Sequence, residues 1–458
     1  MDRTTAHLAE YATGLRYEHL TTDAVRATET LLLDSIGCAI GGYHSEPARI
    51  ARRIAARASS TPPATVWGSG ASSSVEAAAF ANGVMVRYLD FNDTYMSLEV
   101  AHPSDFIPAI LAVAEAHHKS GRDALLAIVA AVEVFASFAD SCNLFNKGYD
   151  HGFYISLGAT AGLGNLLGLD RERMANAIAL TCAANVPIRQ TRSGALTMWK
   201  GCAAPHAARA SVTATELARE GMTGPSAIFE GRHGVRDQVT GPFELAPFGG
   251  NGAPYAVERT GIKFFPTEYN SLLPLELILK LREHVKADDV ESIHVETYHF
   301  TYTEIGSEPE KWRPTTRETA DHSLPYMLAV ALSDGDISVA SFSEERIRDP
   351  KLPPLMDRIR ISENEEFTRK CPESMECRIE VVDTRGRRFV EAGSHPKGHA
   401  KNPMSEAEVE TKFRKLCAGL VTDARRDAIE EAVWSLGDAR DIGDVLNLIR
   451  LDIQGEPA

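Results

Sequence analysis

The sequence predicts a mostly α-helical protein, in which a large all-helical domain carries an inserted, smaller α+β lid domain. Three observations support this. Helix-length apolar stripes, separated by short Gly, Ser or Asp punctuation, recur from residue 5 to about 265. The texture then changes to alternating, strand-like runs mixed with helix, and helical periodicity returns from about Ser405. The expected division is therefore residues 1–265 plus 402–458 for the helical domain and 266–401 for the lid. A cleft between two such units is a favoured place for a small-molecule site.

The elements follow in order. "TTDAVRATETLLLDSIGCAIGGY" (21–43) opens on cap-type residues and stops at Gly41-Gly42. "ALLAIVAAVEVFASFA" (124–139) is apolar but shorter than the roughly 18–20 residues needed to cross a bilayer, so no membrane partner is expected. "GATAGLGNLLG" (158–168) places small residues at 158, 162 and 164, which lets helix backbones approach, and it does not satisfy the G-x-G-x-x-G of a dinucleotide site. In the next stripe Gly168 is the stop and Asp170 the cap. "VESIHVETYHFTY" (290–302) alternates as a strand, "HSLPYMLAVALS" (322–333) is helical, and "CRIEVVDTRGRRFVEAG" (377–393) is a hairpin turning at Asp383-Thr384-Arg385-Gly386. Two helices, within 406–420 and 425–437, close the pattern.

Composition narrows the function. The chain is 44% hydrophobic and 24% charged, as a globular protein should be. Its first residues show no positively charged start followed by an apolar core, so the expected compartment is the cytoplasm. Seven cysteines are scattered without C-x-x-C spacing, which argues against a zinc or iron–sulfur centre. A net charge of −15 argues against nucleic acid. An anionic ligand would have to be held by local cations in a desolvated pocket.

Five polar stretches interrupt the apolar background. In "RYLDFNDTYMSLEVAHPSD" (87–105), Asp90, Asp93 and Thr94 lack the spacing of a calcium loop, and no metal is expected. Asp93 or Asp105 would serve simply as helix caps. His102, made extended by Pro103 and close to carboxylates, is a candidate for acid–base work. In "RQTRSGALTMWKGCAAPHAARASVTA" (189–214), Lys200 either snorkels to the surface or anchors a substrate carboxylate, reinforced by Arg189 or Arg192. As an anchor it would matter to binding and little to stability. "GIKFFPTEYNS" (261–271) sets Lys263 and Glu268 around a proline at the domain junction. In "ADHSLPYMLAVAL" (320–332), Asp321 or Ser323 caps a helix, and His322 and Tyr326 stand four residues apart. "NKGYDHGFYISLG" (146–158) pairs Asp150 with His151, as a surface loop or as part of a site. No G-x-S-x-G elbow, Walker loop or H-E-x-x-H is present. What remains suits proton transfer on an anionic substrate without a cofactor.

At "LLLDSIGCAIGG", "YLDFNDTY", "HPSDFIPAILAVAEA", "GYDHGFYISLGATAG", "LTMWKGCAAPHAAR", "KFFPTEYNS" and "DHSLPYMLAVAL" the sequence resembles the MmgE/PrpD family. The resemblance implies the helical domain with an α+β lid, a homodimer, and a hydro-lyase that dehydrates 2-methylcitrate or a similar tricarboxylate. Decarboxylation or epimerisation of a related di- or tricarboxylate is the alternative, and a non-catalytic scaffold a third. The family's site pattern falls on Asp90, Thr94, His102, Lys200, Lys263 and Tyr326. It implies proton transfer by His102 and Tyr326, carboxylate binding by Lys200 and Lys263, orientation of His102 by Asp90, and a hydrogen bond from Thr94. Arg192, Glu268, His151 and His322 are expected around the substrate. Glu268 in "FPTEYNS" and the Asp-His loop are more similar to the dehydratase members than to the decarboxylases.

Overall fold

The computed structural model describes residues 1–452, so the end of the segment expected to be helical over 402–458, residues 453–458, lies outside the described residues. Numbering only helices of ten residues or more, the first part of the chain forms α1 (Arg3–Gly14), α2 (Thr22–Gly42), α3 (Glu46–Ala55), α4 (Val75–Arg87), α5 (Ile107–Ala116), α6 (Gly121–Ala139), α7 (Gly152–Leu166), α8 (Arg171–Ala184) and α9 (Ala203–Arg219). Two short hairpins intervene, β1 (Ala64–Val66) with β2 (Ala71–Ser73) and β3 (Tyr95–Met96) with β4 (Val100–Ala101). Local chemistry sets the boundaries. Thr21, Ser74 and Asp170 each accept the amide three residues on, capping α2, α4 and α8. The small residues of α7 do bring backbones together: a Cβ on Gly158 would lie 2.7 Å from the Ala131 carbonyl oxygen of α6.

The chain then forms α10 (Leu272–Leu281), β5 (Val290–Thr297), α11 (Leu324–Asp334), β6 (Ile359–Glu363), β7 (Cys377–Asp383) and β8 (Arg388–Gly393), followed by α12 (Glu406–Cys417) and α13 (Asp423–Trp434). The four longer strands make one sheet in the order β6-β5-β7-β8, with β5–β6 parallel and the other pairs antiparallel. Alternate residues of β5 and β7, among them Ile293, Val295, Ile379 and Val381, are buried. The β7–β8 hairpin turns where expected, with Gly386 at φ +76° and its amide donating to Asp383 O at 2.8 Å.

Among the described residues two large buried hydrophobic cores result, with a small third cluster of Cys38, Leu89 and Leu416. One large core combines residues from Leu8 to Ile262 with Val409, Phe413, Ile429 and Val433 of α12 and α13, and the other runs from Phe265 to Val381. Three local readings change. The strand expected over 290–302 ends at Thr297, and Tyr298 starts a short helical turn that carries Phe300 and Glu304 back toward the other core. Ser323, rather than Asp321, caps α11, so His322 precedes the helix and shares no helix face with Tyr326. Asp105 caps nothing: its carboxylate oxygens are buried without a hydrogen bond, 3.7 Å from Arg87 Nε.

Candidate active site

The last residue of α4, Arg87, and the bend after it begin the site. Asp90 adopts φ +52°, a left-handed conformation that is costly for a residue with a side chain and that turns its carboxylate inward. Three cations meet there: Arg87 Nη1 at 2.5 Å, Lys263 Nζ at 2.7 Å and Lys200 Nζ at 3.2 Å. Burial alone would raise this carboxyl, but Arg87, Lys200 and Lys263 outweigh it and hold Asp90 well below the usual carboxylate range. Lys200 also meets Asp321 Oδ1 at 2.8 Å, and Arg317 lies 3.3 Å from the other Asp321 oxygen. Lys263 donates in addition to Asp90 O at 3.1 Å and Thr267 O at 3.0 Å, so all three of its N–H groups are engaged.

Beside this ion network lie three buried histidines. His102 Nδ1 is 2.6 Å from Asp93 O, so that nitrogen carries the proton and Nε2 keeps its lone pair. Burial, then Arg87 and Lys263, holds His102 well below the usual histidine range, so the ring is neutral. The His151 ring meets it edge-on at 5.8 Å. His151 Nε2 accepts from Arg192 Nη2 at 3.1 Å, while Arg192 Nε donates to Asp150 Oδ2 at 2.6 Å, leaving Nη1 of Arg192 uncommitted to either residue. His322 donates Nδ1–H to Asp321 at 2.8 Å, and burial and Lys200 push it down to about 3.

Glu268 is the opposite case. Burial raises its carboxyl to about 7 despite Lys263, and it accepts from Asn270 N at 2.8 Å and Asn270 Nδ2 at 2.6 Å. His102, His151, His322 and Glu268 share one cavity of about 40 Å³, whose walls include Arg87, Arg189, Arg192 and Lys263. Arg189 is paired to Glu304 at 2.8 Å across the two cores. The arrangement can take a proton at His102, give one from Glu268, and stabilise negative charge between them. Asp90, Asp321 and His322 offer three ligand atoms within 4.8 Å of one another. Lys200 already brings its ammonium to both of those carboxylates, so the donor set suits that cation.

Several expected placements change. Lys200 is 1% exposed and neither snorkels nor faces the cavity, because Asp90 and Asp321 enclose its charge. The protons with which Lys263 would bind a carboxylate are engaged with Asp90 and Thr267. Asp90 does not orient His102; the Asp93 carbonyl does. The Thr94 hydroxyl donates to that same carbonyl at 2.7 Å and lies 3.3 Å from His102 Nδ1, so it supports the histidine from behind. Tyr326 is buried in the second core with its hydroxyl donating to Ser341 O at 2.6 Å, away from the cavity. Arg87, Arg317 and Glu304 were given no role from the sequence. For Arg87 the signal was present, as a charge ending the apolar helix "AFANGVMVR".

Two family models match the chain: the MmgE/PrpD N-terminal domain over residues 6–247 and the MmgE/PrpD C-terminal domain over 265–436. The chain belongs to the MmgE/PrpD family. Its C-terminal family segment includes α12 and α13, which pack with the first core, so the family boundary and the core boundary differ. The 2-methylcitrate dehydratase of Salmonella typhimurium is 30% identical over 348 residues, covering 71% of each chain. The cis-aconitate decarboxylase of Mus musculus is 26% identical over 459 residues, 96% of this MmgE/PrpD chain and 91% of its own. The mitochondrial 2-methylcitrate dehydratase of Yarrowia lipolytica is 27% identical over 391 residues, 80% of this chain and 73% of its own. Among the described residues no helix is long and apolar enough to cross a membrane.

Proposed function

We propose that this MmgE/PrpD chain is a hydro-lyase that dehydrates 2-methylcitrate or a similar tricarboxylate by acid–base catalysis from its own side chains. The observation that carries the reading is the pairing, in one cation-walled cavity, of a neutral histidine with a free Nε2 and a carboxyl that keeps its proton to about pH 7. His102 Nε2 removes the proton beside a substrate carboxylate. Electrons from that C–H bond form the C=C bond, and the hydroxyl leaves as water with the proton of Glu268. Arg192, through its uncommitted Nη1, holds a carboxylate, while Arg87 and Lys263 contribute their field. We assign the domain division 1–265 plus 402–458 and 266–401 on the same basis as the two cores, with the second acting as a lid.

The second reading is decarboxylation, favoured by the decarboxylase relative that spans 96% of the chain. Metal-free enzyme incubated with 2-methylcitrate should give the absorbance of an unsaturated product, and His102→Gln should lose on the order of a hundredfold or more in kcat. Carbon dioxide release from cis-aconitate with no turnover of 2-methylcitrate would transfer the protein to the second reading. Exchange of substrate hydrogen with D2O, with no other change in mass, would indicate an epimerase.

A further inference from the structure

We propose that Glu304 is an internal stand-in for a substrate carboxylate, seated on Arg189 until the third carboxyl group of a tricarboxylate displaces it onto Lys311. The inference rests on the reading of the histidine cavity as a tricarboxylate site, and adds to it the residues that select three carboxyl groups over two. Four cations, Arg87, Arg189, Arg192 and Lys263, line that cavity. Each has an acidic partner: Asp90 for Arg87 and Lys263, Asp150 for Arg192, and Glu304 for Arg189. Two of these acids are fixed. Asp90 is also held by Lys200, and Asp150 accepts from Gly152 N at 2.9 Å as well as from Arg192. Glu304 differs: among the described residues it accepts one hydrogen bond, from Arg189 Nη2 at 2.8 Å. Its side chain is 16% exposed, against 1% for Asp90 and 0% for Asp150.

Lys311 is placed to receive it. Glu304 lies in the π-helical turn Tyr302–Gly306, and Lys311 in the turn Pro309–Trp312 that follows. Lys311 is buried, and among the described residues its ammonium makes one ion pair, with Glu308 at 3.7 Å, longer than a hydrogen bond. An ammonium has three N–H donors, so this one is short of acceptors. The two charges already act on each other. Burial raises the Glu304 carboxyl, against Arg189 and then Lys311; burial lowers the Lys311 ammonium, against Glu308 and then Glu304. Moving the carboxylate from Arg189 to Lys311 exchanges one charge-assisted bond for another and opens the planar fork of Arg189 to an incoming carboxylate. It also withdraws a wall of a cavity that, at about 40 Å³, is smaller than a tricarboxylate.

Propane-1,2,3-tricarboxylate and glutarate are the probes, titrated calorimetrically into the full-length chain; neither carries a hydroxyl to eliminate, so binding is read apart from turnover. Wild type should prefer the tricarboxylate. Glu304→Gln, which no longer occupies Arg189 as an anion, should bind the tricarboxylate at least about fivefold more tightly and leave glutarate unchanged. Arg189→Gln should weaken the tricarboxylate at least about tenfold, towards its affinity for glutarate. Lys311→Met should also weaken the tricarboxylate, because displaced Glu304 then has no recipient, and this loss should vanish in Glu304→Gln/Lys311→Met. Should Lys311→Met fail to fold, Glu304→Gln and Arg189→Gln decide the question. Tricarboxylate binding to wild type that is no tighter in Glu304→Gln, or a Lys311→Met loss that persists in the double variant, would overturn the proposal and leave the tricarboxylate reading in place. Failure of wild type to bind the tricarboxylate would overturn that reading and the proposal with it.

Discussion

Lys200 shows how far a residue's surroundings can redirect its role. Read from the sequence, it is a cation that an apolar, Gly/Ala-rich segment should hold for a substrate; in the fold it is the counter-charge of Asp90 and Asp321. Lys200→Met is therefore expected to leave two buried carboxylates short of a partner and to cost about 3–5 kcal/mol in chemical denaturation. A stability change below about 1 kcal/mol would show those carboxylates to be adequately held by Arg87, Lys263 and Arg317. Glu268 gives a pH test. Its folded value, about 7, lies above the ordinary 4.5, so the native state holds the proton more tightly than the unfolded chain does. The resulting destabilisation is absent below about pH 4.5, grows up to about 7 and is constant above. Glu268→Gln should thus gain stability over wild type as pH rises through that window, while its kcat falls and its alkaline limb near pH 7 disappears. His102, held neutral, should give no acid limb at the ordinary histidine value of about 6.5. His102 drew notice through Pro103 and the carboxylates near it, and Glu268 through Lys263 and the proline between them; with Arg192 they line one cavity in the fold. The places of Thr94 and Tyr326 were not legible, because each hydroxyl is satisfied by a backbone carbonyl whose position only the tertiary fold determines.

At the level of elements, periodicity recovered the long helices and the β7–β8 hairpin, where one face is apolar and the turn residues are explicit. It failed at residues 298–302, where Tyr298 is fully buried and bonds Asn270 Oδ1 at 2.5 Å, so an apolar-looking continuation bends instead of extending the strand. The role of α12 was also invisible. Its Lys412 donates to Phe91 O at 2.6 Å and Lys263 O at 2.9 Å, and its ammonium lies 2.6 Å from Asp34 of α2. One side chain from the returning segment thereby ties the loop after Asp90 to the segment bearing Lys263. Asp34 has no directed hydrogen bond, so Lys412 is what offsets its burial. Lys412→Met should cost about 3–5 kcal/mol, and Asp34→Asn/Lys412→Met much less, because the second change removes the stranded charge. Equal losses in the two variants, measured by urea denaturation, would show that the carbonyl contacts rather than the charge carry the effect.

For the molecule as a whole, two cores were legible from the change in texture near residue 265 and its reversal near 405, since each core needs its own apolar pattern. What the sequence could not convey is how tightly the cores meet. Arg189 clasps Glu304, Phe145 lies against Phe300 with ring centres 5.2 Å apart, and Tyr88 donates to Glu318 at 3.1 Å. Arg189, Glu304 and Phe300 of these contacts line the cavity around His102. The cavity of about 40 Å³ is smaller than a tricarboxylate, so on the proposed reading a reactant enters only as these contacts loosen, and the parting of the two halves would then pace turnover. In turnover experiments kcat should fall in proportion to solvent viscosity as sucrose is added, and Arg189→Gln, which loosens the clasp without touching His102 or Glu268, should weaken that dependence. A kcat indifferent to viscosity would mean that the bond-breaking step, and not this parting, sets the tempo of the enzyme.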